Sequence, residues 1–146
     1  MVKFVPHLER FSFNVSKKVG LGRPNLEDDV QLVQFGYFAM SLNAQTKPQL
    51  RPFAAAVKTG AKYDGAAGDP LTIAIREHQK VRGGTQDGHI SSVPATNEFY
   101  DPKHGFQIVA LTNLMFDLMP ADFPRIDKHT QCPPVLSAKV KELFKR

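Results

Sequence analysis

Apolar residues return every three or four positions along four stretches of the chain, and each such stretch predicts a helix with one buried face. In the first, Val30, Val33, Tyr37 and Met40 set the stripe. Pro24-Asn25 opens it, with Asn25 as the expected N-cap and Asp28 at the capping-box distance. Glu27 and Asp29 suit the positive end of the helix dipole, and the helix is expected to end near Asn43. The second stripe is Leu71, Ala74, Ile75 and His78. Asp69 is its expected cap, Pro70 takes the first helical position, where proline is tolerated, and Arg82-Gly83-Gly84 ends it. A third helix is expected from His104 or Gly105, with Ile108, Leu111, Met115 and Leu118 inward and Pro120 as the stop. The last runs from about Pro134, with Leu136, Val140, Leu143 and Phe144 as its stripe.

Between these stretches the period changes or disappears. Residues 9–16 alternate Phe11, Phe13 and Val15 with Ser12, Asn14 and Ser16, which is the period of a strand. No partner strand stands out, so an edge ribbon is expected. Residues 17–23 read as loop, and 44–62 as a long connection with room for one short helical turn. Residues 85–103 read as loop-rich, with an Asp87-Gly88 turn and Ile90 and Val93 as anchors. The expectation is a mainly α fold: a small domain of about four helices with long loops and a short N-terminal strand. Residues 1–146 form one domain in this reading, with a core at 17–92 and additional helices in 93–146 that pack on it or serve in docking.

The length of 146 residues suits one core of ordinary size. Tryptophan is absent and Phe numbers 11, so phenylalanine is expected to fill much of that core. The 19 Lys and Arg against 14 Asp and Glu leave a formal net charge of +5. That excess favours anionic polymers, including nucleic acid, wall polymers and acidic lipid surfaces, without choosing among them. No stretch interleaves cations with aromatic side chains and no nucleic-acid motif occurs, so nucleic acid is not the expected partner. No run approaches the about 20 apolar residues of a membrane span. The first ten residues lack the apolar run of a signal peptide, so synthesis in the cytoplasm without one is expected. Action in the periplasm, at the cell wall, or in a virion or secretion particle would then require lysis or a dedicated export apparatus.

Two helix openings carry a family resemblance. Asp28-Asp29-Val30-Gln31-Leu32-Val33-Gln34 is one. The other is Tyr63-Asp64-Gly65 followed by Gly68-Asp69-Pro70-Leu71-Thr72-Ile73-Ala74-Ile75-Arg76-Glu77-His78-Gln79. A weaker third is Gln86-Asp87-Gly88-His89-Ile90. In order and spacing, over residues 17–92, they resemble the peptidoglycan-binding-like family of three-helix wall-recognition modules, found in phage and secretion-associated proteins. The long connection before Tyr63, the extra Asp69 between Gly68 and Pro70, and His78 in place of an aromatic depart from the family pattern.

The resemblance implies a non-catalytic module that recognises wall glycan or stem peptide in a shallow groove between the first two matching helices. Its ligand-binding candidates are Gln34, Asp64, Thr72 and Gln79. Gln34 and Gln79 end the two apolar faces, so each could bond backbone beneath its helix or donate to a ligand. The expected partner is peptidoglycan or another anionic wall polymer. The alternative is a structural or adaptor component of a phage tail or of an injection or secretion assembly, with protein partners and the fold kept as a packing scaffold. The three departures motivate it.

Chemistry candidates are sparse, and no catalytic residue, metal site or cofactor is expected. His129-Thr130-Gln131-Cys132 lacks the second cysteine or paired histidine of a zinc site. Cys132 lies just before Pro133 and Pro134, where a helix dipole could lower a thiol pKa. A small hydrolase or toxin using Cys132 and His129 is the enzymatic alternative. The lone cysteine forms no internal disulfide. His78, on an apolar face, is expected to be a hydrogen-bonded core histidine.

Overall fold

The computed structural model describes residues 3–7, 10–93 and 106–145. In order, the elements are β1 (Lys3–His7), β2 (Arg10–Asn14), β3 (Val19–Gly20), α1 (Glu27–Leu42), α2 (Arg51–Ala56), α3 (Pro70–Arg82), β4 (His89–Ile90), α4 (Gln107–Leu118) and α5 (Pro134–Leu143), with a 3-10 turn at Ile126–Lys128 before α5. The fold is mainly α, with four long helices as expected, and α2 is the short helical piece within the long connection. The expected third-helix starts, His104 and Gly105, and most of the loop before them lie outside the described residues; α4 begins at Gln107.

The N-terminal strand has a partner after all. β1 and β2 form an antiparallel ribbon in which Phe4 faces Phe13 and Pro6 faces Phe11. Pro6 removes one ladder donor, which is tolerated in a ribbon with open edges and which hides the strand from a pattern search. A second, two-residue ladder pairs Val19 with Ile90 and Gly20 with His89.

α1 is the axis of the molecule. It was expected to bury one face, yet every residue from Asp29 to Tyr37 is buried. α2, α4 and α5 all pack on it, so water reaches little of its surface. Its central polar side chains are therefore paired with backbone. Gln31 Oε1 accepts from the N–H of Leu136 at 2.9 Å. That bond caps the start of α5, which begins after Pro133 with no capping side chain of its own.

The start of α1 also departs from expectation. Leu26 is the N-cap residue and offers no side-chain bond. Asn25 stands in the left-handed region at φ 53°. Its amide is engaged at both ends by Gly20, accepting from its N–H at 2.7 Å and donating to its carbonyl at 3.0 Å. The amide that would cap α1 closes the preceding loop instead, and no capping box with Asp28 forms. Asp29 is fully buried and accepts from Ser16 N–H, Ser16 Oγ and Lys17 N–H at 3.0–3.1 Å.

α3 follows its local signals. Asp69 Oδ1 accepts from Leu71 N–H at 2.8 Å, Pro70 opens the helix, and Gly83 closes it at φ 79°. Asp69→Ala should cost about 1 kcal/mol and lower the thermal midpoint by roughly 3 °C. Calorimetry of the two proteins measures this directly.

Candidate functional site

An open cleft of about 550 Å³ lies where the start of α1 meets the segment leading into α3. Asn25, Glu27, Val30 and Gln31 form one side, and residues 60–64 with Asp69 form the other.

The far wall is held from behind by two of the predicted site residues. Gln34 is buried, and its side chain accepts from Gly60 N–H at 2.9 Å and donates to the Ala61 carbonyl at 2.9 Å. Of the two uses open to Gln34, the structure shows the backbone bond. Thr72 is fully buried; its hydroxyl donates to the Ala66 carbonyl at 2.7 Å and pairs with the Tyr63 hydroxyl. Together they fix both ends of the segment that carries Lys62, Tyr63 and Asp64. Gly65, at φ 84°, lets the chain turn there. A Cβ on it would come within 2.8 Å of the Asn25 amide nitrogen, so only glycine lets the two walls approach this closely.

Asp64 is the one predicted ligand residue that lines the cleft. It is exposed, and one oxygen accepts from Ala66 N–H at 3.0 Å, closing an Asx turn. Gln79 sits elsewhere, beneath the Asp87-Gly88 turn. Its Oε1 accepts from Gly88 N–H at 3.0 Å, while Nε2 lies 2.9–3.0 Å from Asp87 Oδ1, the His89 carbonyl and Gln107 Oε1. Gln34, Thr72 and Gln79 thus use their polar groups inside the fold. Glu27, Lys62 and Tyr63 line the cleft and were missed; an aromatic placed directly before an Asp-Gly turn was the available signal for Tyr63.

The electrostatics of the cleft oppose those of the whole chain. Glu27, Asp64 and Asp69 bring carboxylates to a rim where Lys62 is the cation, although the protein is basic. Such a rim suits hydroxyl, amide and ammonium groups better than phosphate or carboxylate. Tyr63 is half-buried at the wall, and burial raises its phenol pKa above the ordinary value, so the ring stays neutral. Among the described residues, no three His, Cys, Asp or Glu side chains lie together as a metal site. No helix among them is long and apolar enough to cross a membrane.

Cys132 bears on the enzymatic alternative. The dipole of α5 does not lower its thiol; burial, followed by the charge of Asp127, pushes the pKa up to about 12. His129 Nδ1 accepts from Gln131 N–H at 3.0 Å, and its ring stands edge-on to Phe35 and Phe38. A thiol held protonated at neutral pH is a poor nucleophile. Alkylation of Cys132 by iodoacetamide at pH 8 should run at least about tenfold slower in the folded protein than in denaturant. Equal rates would show that the thiol is neither shielded nor shifted.

His78 meets its expectation as a core histidine. Its Nδ1 lies 3.1 Å from the Tyr37 hydroxyl and 3.2 Å from Gln107 Nε2. Burial first, and Arg82 second, lower its pKa to about 3, so the ring is neutral, and the Gln107 amide nitrogen beside it, which can only donate, makes Nδ1 the acceptor. No family model, no curated protein and no solved structure matches the chain.

Proposed function

We propose that the protein is a non-catalytic peptidoglycan-binding-like module that holds a segment of bacterial wall glycan or stem peptide in the cleft between α1 and α3. The observation that carries the reading is the cleft itself: about 550 Å³ with an exposed polar rim of Glu27, Lys62 and Asp64 beside the half-buried Tyr63. Concave sites that mix an apolar wall with a few placed polar groups are the usual form of small-ligand sites. Sugar hydroxyls and peptide amides or ammonium groups match the carboxylates, and Lys62 matches a peptide carboxylate. Gln34 and Thr72 act here as positioning residues that set the shape of the rim.

Titration of the labelled protein with soluble muropeptides, followed by NMR, tests the reading. Shifts should concentrate at residues 25–31 and 60–69. The variant combining Glu27→Ala, Lys62→Ala and Asp64→Ala should lose at least about tenfold in affinity with its thermal midpoint kept. Shifts scattered over the surface, or an affinity unchanged in the variant, would reject the cleft as the site.

The structural or adaptor reading has its own support, since Gln34, Thr72 and Gln79 use their polar groups for packing. A stable complex with an assembly component, together with no affinity for wall material, would decide for it.

A further inference from the structure

The β3–β4 junction gathers cations around two buried nitrogens that have no hydrogen-bond partner among the described residues. Gly20 pairs with His89 across the ladder, and the Leu21 N–H donates to the Gly88 carbonyl at 3.0 Å. The loop from β3 folds back through Arg23 N–H to Gly20 O at 3.2 Å and Asn25 N–H to Lys18 O at 3.4 Å. Lys18 and Arg23 therefore belong to the same small loop that covers Gly88 and His89. From α3, Arg76 lies across Gly88 so closely that a Cβ there would stand 3.0 Å from Nε and 3.6 Å from Cγ.

Arg76 Nε and His89 Nδ1 are both buried without a hydrogen-bond partner. Buried polar nitrogens are paired in the great majority of cases, so the Arg76 Nε–H, which can only donate, points to an acceptor from outside the chain, and His89 Nδ1 is a second donor once its ring is protonated. His89 is 8% exposed, and its Nε2 lies 3.3 Å from Asp87 Oδ2. Among the described residues, Asp87 is the acidic group that acts on His89, and its Oδ1 already accepts from Gln79 Nε2 and His89 N–H. The cations whose charge acts on His89 are Arg23 and Lys18.

We propose that this junction is a binding site for a tetrahedral oxyanion of the phosphate class, held by the Arg76 guanidinium and by His89 Nδ1–H, in the field of Lys18 and Arg23. The site is separate from the acidic cleft and does not depend on what the cleft binds. Its chemistry also sets a pH dependence. With Nε2–H directed at Asp87, Nδ1 becomes a donor only when the ring takes up a second proton. Without the anion, burial and the charges of Arg23 and Lys18 oppose that proton, and the His89 pKa lies below the ordinary value. A dianion between His89 and Arg76 reverses the balance, so binding takes up a proton and strengthens as pH falls.

Sulfate is the suitable first probe, since its charge is constant between pH 5 and 8. It would be titrated against chloride at fixed ionic strength, with the His89 ring and Arg76 side-chain signals followed by NMR. The expected result is saturable binding at pH 5.5 that weakens at least about fivefold at pH 8. Arg76→Gln should weaken it by about tenfold, as should the pair Lys18→Gln and Arg23→Gln; His89→Gln should remove the pH dependence. Lys139→Gln, on α5, should change nothing. Parallel titrations with inorganic phosphate and glycerol phosphate identify the source: tighter binding of the ester points to a phosphomonoester ligand, and tighter binding of phosphate to the free anion. Shifts that never saturate, or saturable binding indifferent to Arg76→Gln and to pH, would overturn the proposal. The wild-type pH comparison decides the point even if a variant fails to fold.

Discussion

Gln79→Ala is expected to destabilise the protein by about 3–4 kcal/mol and to lower its thermal midpoint by roughly 10 °C. The side chain is buried, and its one amide joins α3 to the Asp87-Gly88 turn, to β4 and to the first residue of α4. The two amide hydrogens are shared among three acceptors and Oε1 accepts from Gly88, so truncation leaves the His89 carbonyl and the Gly88 N–H unpaired at once. Each buried group left without a partner costs about 1–3 kcal/mol, and the truncation cavity adds to that. Gln79→Glu sharpens the test. It keeps the volume but turns a carboxylate toward Asp87 Oδ1, the His89 carbonyl and Gln107 Oε1, so it should be no better than alanine at neutral pH. A chemical denaturation series on the three proteins reads the ranking. A Gln79→Ala loss below about 1 kcal/mol would mean that the amide does not tie these elements together.

Acid should weaken the fold well before carboxylates titrate, and His78 should be the main cause. The unfolded chain takes up a proton on this ring near its ordinary pKa of 6.5, whereas the folded chain holds out to about 3. The unfolded state therefore binds more protons between these values. The stability contributed by neutral His78 is complete above pH 6.5 and is lost as pH falls toward 3, at up to about 1.4 kcal/mol per unit. His89, also shifted down, adds in the same direction, and Asp127, held below the usual carboxylate range by Arg125, adds only at the acid end. Denaturation free energies at pH 6.5, 5.5 and 4.5 isolate the histidines. His78→Gln keeps an acceptor near the Tyr37 hydroxyl but cannot titrate. It should be less stable than the wild type at pH 7 and show a clearly flatter loss on acidification. An unchanged slope would assign the acid sensitivity to other groups.

The parts of this fold that were legible in the sequence are those decided within a few residues. Asp69-Pro70 at one end of α3 and Gly83 at the other act through their nearest neighbours, and the apolar stripes of α3 and α4 fall where their spacing puts them, as does that of α5 except for Phe144, which is exposed just past the helix end. What escaped depends on distant chain. Gln31 lies off the apolar stripe expected of α1, and its partner is Leu136, 105 residues away. Asn25 reads as a helix cap, and it would have been one had Gly20 not claimed both ends of its amide. α1 reads as one-faced, because nothing in its own pattern says that α2, α4 and α5 surround it. The candidate site divides in the same way. Asp64 sits at the cleft, where an exposed Asx turn put it. Gln34 and Thr72 stand behind the cleft wall as parts of the framework, and Gln79 serves the framework elsewhere, beneath the Asp87-Gly88 turn. Glu27 and Lys62 carry no local signal, since an exposed charge beside a helix start looks alike whether or not a cleft opens next to it.

Co-sedimentation with insoluble peptidoglycan sacculi, at low and at moderate salt, tests the proposed wall recognition most directly. The wild-type protein and the Glu27→Ala, Lys62→Ala, Asp64→Ala variant would be compared side by side. Wild-type retention that survives moderate salt and falls at least about tenfold in the variant is the predicted result. Retention that vanishes with salt would reduce the interaction to a basic protein meeting an anionic polymer. No retention at all, or retention equal in both proteins, would contradict recognition at this cleft.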